Sequence, residues 1–293
     1  MPDLKTTAMP TPTATRRDDP GHTPPCAPIF VGGAPRSGTT LVRAILDTHP
    51  AIACGPELRA VAALAGLWSE IDASLPGDVA RAYHLRPAAL RDAFAGTIAA
   101  FLTPHQQRSG KPRIAEKTPS NVRHFVELHR LFPDSPLVHV IRDGRDVVTS
   151  LLGMDWIDPR TGQPFDYVRN ARAAAHTWVD MVTAGRAMAA LPDAGACYLE
   201  LRYEDIVAHP EPTLKRLFDF LGEPWTDTVL GFHANPRNAA GSEESSADQI
   251  ARPLYAASVG RWRQDLAPAD RQAVREVAGP LLMELGYCRD LNW

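Results

Sequence analysis

Residues 29–46 read IFVGGAPRSGTTLVRAIL. A short apolar run rich in β-forming residues stops at the paired glycines Gly32 and Gly33, turns through Pro35 to Gly38, and continues with apolar residues at helical spacing. The pattern predicts a strand, a tight loop and a helix. Because a helix start directs unpaired backbone N–H groups and the positive end of the helix dipole at one point, we expect this loop to bind an anion.

The loop differs at one position from the phosphate loop of nucleotide hydrolases. Gly33 and Gly38 have the spacing of G-x-x-x-x-G-K-[ST], but Thr39 stands where the lysine would be. Arg36 instead places a permanent, fork-shaped cation inside the loop, suited to the oxygens of a phosphate or a sulfate. The alternative is an ordinary connection, in which glycine and proline serve the turn alone.

The composition of the whole chain predicts one α/β domain. Its 293 residues are 44% hydrophobic, which is enough for a substantial core. The formal net charge of -3 argues against a nucleic-acid partner held by bulk electrostatics. Residues 1–27 are dominated by Pro, Thr, Asp and Arg, which predicts a disordered tail ahead of a domain over residues 28–293.

Two further features bear on the cellular compartment. No apolar run approaches the roughly 18 residues of a membrane helix, and residues 1–28 hold no segment resembling a signal peptide. We therefore expect a cytoplasmic protein with no membrane partner. The cysteines Cys26, Cys54, Cys197 and Cys288 are far apart and lack the C-x-x-C spacing of a metal or redox site, so we expect reduced thiols and no metal.

Later apolar segments alternate with helical patterns, as in a parallel sheet flanked by helices. Residues 113–117 predict a strand that ends at Lys117, where ligands bind in open α/β sheets, although a solvated lysine is the simpler alternative. Residues 136–141 predict a strand buried on both faces, with His139 as a core histidine. Arg142 follows it, where a nucleotide hydrolase would place a magnesium-binding acid.

Three other regions are candidates for function. Glu57 and Arg59 follow a short strand-like segment at 51–55; they are either a surface ion pair or neighbours of the anion loop. Residues 61–102 predict helices, interrupted near residues 76–77 and 86–87, which cover the sheet and form one wall of an acceptor cleft. Residues 234–252 predict a long loop, and loops of that length are uncommon unless functional.

These motifs together resemble the sulfotransferases that depend on 3′-phosphoadenosine 5′-phosphosulfate, and most of all the protein-tyrosine sulfotransferases. They follow the family order from residue 29 to about residue 265. The matching segments are FVGGAPRSGTTL at 30–41, DTHP at 47–50, CGPELR at 54–59, EKTP at 116–119, RDGR at 142–145 with Ser150, Tyr203-Glu204, SADQ at 246–249, Arg252-Pro253 and Arg261-Trp262.

The resemblance implies a role for each matching residue. Glu57 would be the catalytic base, and Arg59 and Lys117 would stabilise charge, with Arg36 and Ser246 also at the reacting centre. The residues implied at the 5′-phosphosulfate are Arg36, Ser37, Gly38, Thr39 and Thr40; those at the 3′-phosphate are Arg142 and Ser150; and those completing the donor site are Tyr203, Ser246 and Arg261.

The resemblance also implies the reaction, an in-line transfer of a sulfuryl group to an acceptor hydroxyl without a metal. A tyrosine or another phenol is the expected acceptor; a carbohydrate or secondary-metabolite hydroxyl is the alternative. A P-loop kinase or nucleotide hydrolase, or an inactive nucleotide-binding module, is a more distant alternative. A homodimer is left open by the resemblance.

The chain departs from the animal enzymes at two positions. Pro56 stands where they have a second glutamate, and Ala115 stands where the resemblance would place the disulfide partner of Cys54.

Overall fold

Five parallel strands form one sheet in the computed structural model, which describes residues 27–192, 194–235 and 250–293. Their order across the sheet is β2-β3-β1-β4-β5. The strands are β1 (Ile29–Gly32), β2 (Ile52–Cys54), β3 (Arg113–Lys117), β4 (Leu137–Ile141) and β5 (Tyr198–Arg202). The predicted parallel sheet is confirmed. The predicted tail over residues 1–27 lies outside the described residues except at its last position.

The central position of β1 determines where the predicted site residues meet. In β1, Val31 pairs with Lys117 of β3 on one side and with Val138 of β4 on the other. Parallel neighbours end at the same edge, so the loop after β1, the end of β3 and Arg142 after β4 converge there. On the outer side of β3, Cys54 of β2 lies opposite Ala115, so no second thiol stands at that register position.

Helices cover both faces of the sheet, and the alternation of side chains along β1 divides the core between them. Phe30 packs with Phe125 and Trp178 on one face, whereas Ile29 and Val31 pack on the other. The helices are α1 (Thr39–Thr48), α2 (Ala60–Ser74), α3 (Gly77–Ala82), α4 (Pro87–Ser109), α5 (Phe125–Leu131), α6 (Gly144–Leu152), α7 (Ala171–Arg186), α8 (Tyr203–Ala208), α9 (Pro210–Leu221), α10 (Trp262–Asp265) and α11 (Pro268–Glu284). Among the described residues, no helix combines the length and the hydrophobicity that crossing a bilayer requires.

His139 is the core histidine that the sequence predicted. Its ring is fully buried in β4, and its Nδ1 lies 2.7 Å from the hydroxyl of Tyr198 in the neighbouring strand. Burial lowers the pKa of His139 to about 3. The ring therefore stays neutral at physiological pH and belongs to the core.

Three of the four cysteines lie among the described residues. Cys54 and Cys197 are buried, Cys288 is half-buried, and none of the three forms a disulfide within the described part of the chain. This agrees with the reduced thiols expected from the spacing.

Candidate functional site

The loop between β1 and α1 is held in a tight turn by two glycines and one strained arginine. A Cβ at Gly33 would lie 2.3 Å from the carbonyl oxygen of Val140, and a Cβ at Gly38 would lie 2.5 Å from the ring of Tyr203. Gly38 has a φ of 99°, and Arg36, which is not a glycine, has a φ of 69°. Backbone strain of this kind collects at ligand sites. The Oγ of Ser37 is buried and has no hydrogen-bond partner among the residues that the structure describes, so the loop has a donor free for a ligand.

A second group of predicted residues joins the loop to the end of β4. Arg36 donates from Nε to the hydroxyl of Ser150 at 3.0 Å, and Arg142 donates from Nη1 to the carbonyl oxygen of Arg36 at 2.9 Å. The guanidinium of Arg142 lies 4.7 Å from the ring centroid of Tyr203. Burial, and then the positive charges of Arg142 and Arg261, lower the pKa of Arg36. Guanidinium groups gathered in this way favour a bound polyanion.

The wall of this anion site includes one residue that the sequence did not indicate. Ser258 accepts a hydrogen bond from Arg142 Nη2 at its carbonyl oxygen (2.5 Å), and its hydroxyl lies 2.6 Å from that of Tyr203. Arg261, which was predicted here, pairs through Nε with Asp265 at 2.9 Å. Ser246, the other predicted residue, lies outside the described residues.

The predicted catalytic residues meet at the ends of β3 and β2. Lys117 is fully buried and donates to Glu57 Oε1 at 2.8 Å and to the hydroxyl of Thr40 at 3.4 Å. The side chain of Glu57 is 23% exposed, so one side of the carboxylate faces the cleft. Arg59 Nε is 3.9 Å from Glu57 Oε2 in a side chain that is 82% exposed. The close pair is therefore Lys117 with Glu57, and Arg59 is a looser partner.

Glu116 supports this pair, although the sequence analysis gave it no structural role. Its Oε1 accepts the backbone N–H of Leu58 at 3.0 Å and the hydroxyl of Thr118 at 2.6 Å, and its Oε2 accepts from Asn121. Burial raises the pKa of Glu116. It thus ties the Glu57 segment to the end of β3. A carboxylate inside a strand of the predicted sheet was the signal that could have indicated this role.

A cleft of about 1430 Å³ opens from Glu57 and the anion loop. α4 contributes His105, Arg108 and Ser109 to its lining, and Arg123 follows from the short helix after β3. The expectation that residues 61–102 form a wall is wrong in position, because the α4 residues that line the cleft lie at 105–109. α2 and the earlier part of α4 pack on the core, which agrees with the expectation that this region covers the sheet.

Three aromatic side chains form the facing wall of the cleft. Phe165 stacks on Tyr167 with centroids 5.0 Å apart, and Trp156 meets Tyr167 edge-on at 6.5 Å. The loop that carries them is closed by a hydrogen bond from Phe165 N–H to the carbonyl oxygen of Trp156 at 3.1 Å. Arg59 is close enough to act on Tyr167, where its charge opposes the rise in pKa caused by burial. The wall was not predicted because its residues follow no helical or strand period.

Comparisons with known proteins agree with this geometry. A family model described as "Sulfotransferase family" matches residues 28–227. Protein-tyrosine sulfotransferase A of Caenorhabditis elegans is 30% identical over 300 residues, which cover 96% of this chain and 72% of that protein.

Two solved structures share the fold. The sulfotransferase domain from the Synechococcus PCC 7002 olefin synthase has a TM-score of 0.60 at 22% identity, over 91% of this chain and 98% of that chain. A mouse sulfotransferase complexed with PAP has a TM-score of 0.54 at 14% identity, over 89% of this chain and 87% of that chain.

Proposed function

The chain belongs to the sulfotransferase family, and on that basis we propose that it transfers the sulfuryl group of 3′-phosphoadenosine 5′-phosphosulfate to the hydroxyl of a tyrosine or another phenol. The observation that carries the proposal is the 2.8 Å pair of Lys117 and Glu57. It stands between the anion loop and the open cleft, where a donor and an acceptor hydroxyl would meet.

The donor residues follow from the anion site. The loop of residues 36–40 would hold the 5′-phosphosulfate, and its support is the buried Ser37 hydroxyl, which has no partner among the described residues. Arg142 and Ser150 would hold the 3′-phosphate. The Nε of Arg142 is likewise buried without a partner in the described part of the chain. Bound there, the donor supplies the sulfuryl group.

Glu57 would act as the base, because its carboxylate is partly exposed to the cleft and can accept the proton of the acceptor hydroxyl. Proton uptake neutralises Glu57 and so weakens its attraction for Lys117. The ammonium of Lys117, buried beside the loop, is then available to the oxygen that leaves with the nucleotide. A cation in a dry site stabilises such developing charge strongly.

The walls of the cleft support a phenolic acceptor. A phenol, with a pKa near 10, loses its proton more easily than an alkyl alcohol does. The stacked rings of Phe165 and Tyr167 offer an apolar surface to an aromatic acceptor. Arg59, Arg108 and Arg123 line the same cleft, which suits a tyrosine flanked by acidic residues.

A transfer assay tests the proposal. The protein is incubated with labelled donor and with tyrosine peptides carrying acidic or neutral flanks, simple phenols and sugars, and the products are identified by mass spectrometry. We expect a sulfate adduct on tyrosine, formed fastest when the flanks are acidic. Transfer to sugars alone would support the alternative acceptor class, and no transfer to any hydroxyl would contradict the proposal.

Substitutions of the arginines that line the cleft test whether the acceptor is an acidic peptide. Arg108→Ala combined with Arg123→Ala should raise KM for the acidic peptide about tenfold, by the loss of charge-assisted contacts. KM for a simple phenol should stay unchanged, because a phenol has no acidic flank to bind. An equal rise in both KM values would contradict a role in peptide recognition. The cytoplasmic location stays a prediction, and the homodimer stays open, as the resemblance left it.

A further inference from the structure

A short segment near the C-terminal end of the chain closes the anion site. We call residues 258–262 the clasp. Its first residue, Ser258, contacts both Arg142 and Tyr203, with distances of 2.5 Å to Arg142 Nη2 and 2.6 Å between the two hydroxyl oxygens. Gly260, in the middle of the clasp, has a φ of 74°, so the segment turns sharply. The placement of Ser258 therefore depends on what holds this turn.

Asp146 holds the turn from the opposite side. It lies in the first turn of α6 and is fully buried. Its Oδ2 accepts the backbone N–H of Gly260 at 2.7 Å, and its Oδ1 accepts that of Trp262 at 3.0 Å. Both oxygens of the carboxylate are thus used by the clasp.

The start of α6 does not need Asp146 as a cap. Asp143 is the N-cap residue, and its side chain accepts the backbone N–H of Arg145 at 2.9 Å. The guanidinium of Arg145 in turn lies 4.2 Å from the ring of Trp262. Asp143 therefore caps α6, and Asp146 holds the clasp.

The clasp brings charge to the anion site as well as a hydroxyl. Arg261 lies within it, and its positive charge acts on Arg36. The carboxylate of Asp146 interacts electrostatically with Arg142, which lies four residues earlier in the chain and outside α6. One carboxylate thus fixes the segment that carries a cation and offsets part of the repulsion between the cations that gather there.

We propose that Asp146 is a positioning residue for nucleotide binding, which holds Ser258 and Arg261 at the donor site through the backbone of the clasp without touching the donor. The inference rests on the proposed donor. It predicts that a substitution at Asp146 weakens donor binding while the acceptor cleft, which lies on the Glu57 side, is unaffected.

Asp146→Asn tests the inference. Asparagine keeps the shape but offers one acceptor oxygen to two N–H groups, and its own NH₂ opposes the second of them. Calorimetry on the full chain should show binding of adenosine 3′,5′-bisphosphate weakened about 10- to 100-fold, the effect of losing a hydrogen bond to a charged group. KM for the donor should rise and KM for the acceptor should not. Asp134→Asn is the matched control, because Asp134 is exposed in the turn before β4, at the opposite edge of the sheet.

The outcomes separate positioning from simple stability. If Asp146→Asn lowers Tm but binds the bisphosphate as the wild type does, the proposal is overturned. If Asp146→Asn does not fold, Ser258→Ala decides: it removes only the hydroxyl at Tyr203 and should weaken binding about three- to tenfold. Wild-type affinity in Ser258→Ala would then overturn the proposal. A wild-type protein that does not bind the bisphosphate would overturn the donor assignment itself, which is a distinguishable result.

Discussion

At the scale of single residues, the site depends on an ion pair that reaches into the core. Lys117 is fully buried, and a buried ammonium is costly unless a partner compensates it. Glu57 provides that compensation at 2.8 Å. The proposed base and the cation proposed for the leaving group thus hold each other in place.

Glu57→Gln should separate proton transfer from binding. The amide keeps the size of the side chain but cannot accept the acceptor's proton, so kcat should fall about 10²- to 10⁴-fold. Affinity for adenosine 3′,5′-bisphosphate, measured by calorimetry, should change little. Glu70→Gln on the exposed face of α2 is the control. A kcat within threefold of the wild type would remove Glu57 from the role of base.

The sequence indicated the cations of the proposed site and missed the carboxylates that hold backbone N–H groups. Arg36, Lys117 and Arg142 lie at or just after the ends of strands, at the one edge where parallel strands end, so their positions could be inferred from chain order. Glu116 and Asp146 instead accept N–H groups from Leu58, Gly260 and Trp262, far away in sequence. No spacing rule links such partners, because the fold alone brings them together.

At the scale of elements, the sequence determines the conformation of β1, the loop after it and α1 more closely than that of the other segments of the site. The apolar runs of the strands and the glycines of the loop predicted it, and the close approach of Gly33 to β4 explains why a glycine is needed. The wall carrying Trp156 and Tyr167 could not be predicted in the same way. Its ordered parts are a single β-bridge between Ile157 and Pro164 and one turn of 3-10 helix at Asp166–Val168, which are too short to leave a period in the sequence.

Gly33→Ala should test that specification. Its Cβ would lie 2.3 Å from the Val140 carbonyl oxygen, so β1 and β4 would have to move apart. We expect a loss of roughly 1–3 kcal/mol in the free energy of unfolding, together with weaker bisphosphate binding. Gly96→Ala, in α4 with no atom within 4 Å of the added Cβ, is the control and should gain about 0.5–1 kcal/mol. Denaturant titration of both variants measures the free energy of unfolding. A Gly33→Ala variant as stable as the wild type would contradict the argument that Gly33 lies too close to β4 for a Cβ.

At the scale of the whole molecule, a polar chain leads from the core to the surface. His139 contacts the hydroxyl of Tyr198, which donates to Glu200 at 3.2 Å, and Glu200 accepts from Arg186 at 3.0 Å. The hydroxyl of Tyr198 satisfies Nδ1 of the fully buried His139 imidazole. Burial, to which the positive charge of Arg186 adds, keeps the imidazole neutral, so the histidine serves the core.

This buried histidine should make stability depend on pH. A histidine in the unfolded chain binds a proton near pH 6.5, whereas the pKa of His139 in the fold is about 3. Between these values the unfolded state binds more protons, so the free energy of unfolding falls as the pH drops below 6.5. This one proton contributes up to about 1.4 kcal/mol per pH unit.

Urea titrations near pH 7 and near pH 5.5 measure this pH dependence. His139→Gln, which does not titrate, should lose less stability between the two pH values than the wild type does. His176→Gln, exposed on α7, should behave like the wild type. If His139→Gln and the wild type lose equal stability, the dependence comes from other groups.

The cleft is built by two independent parts of the chain, and this has a practical side for biocatalyst engineering. The proposed donor side is formed by β1, α1, β4 and α6. The proposed acceptor side is lined by the last turn of α4 and by the loop that carries Trp156, Phe165 and Tyr167. A library confined to those two segments would explore new acceptors on an unchanged sulfuryl-transfer framework.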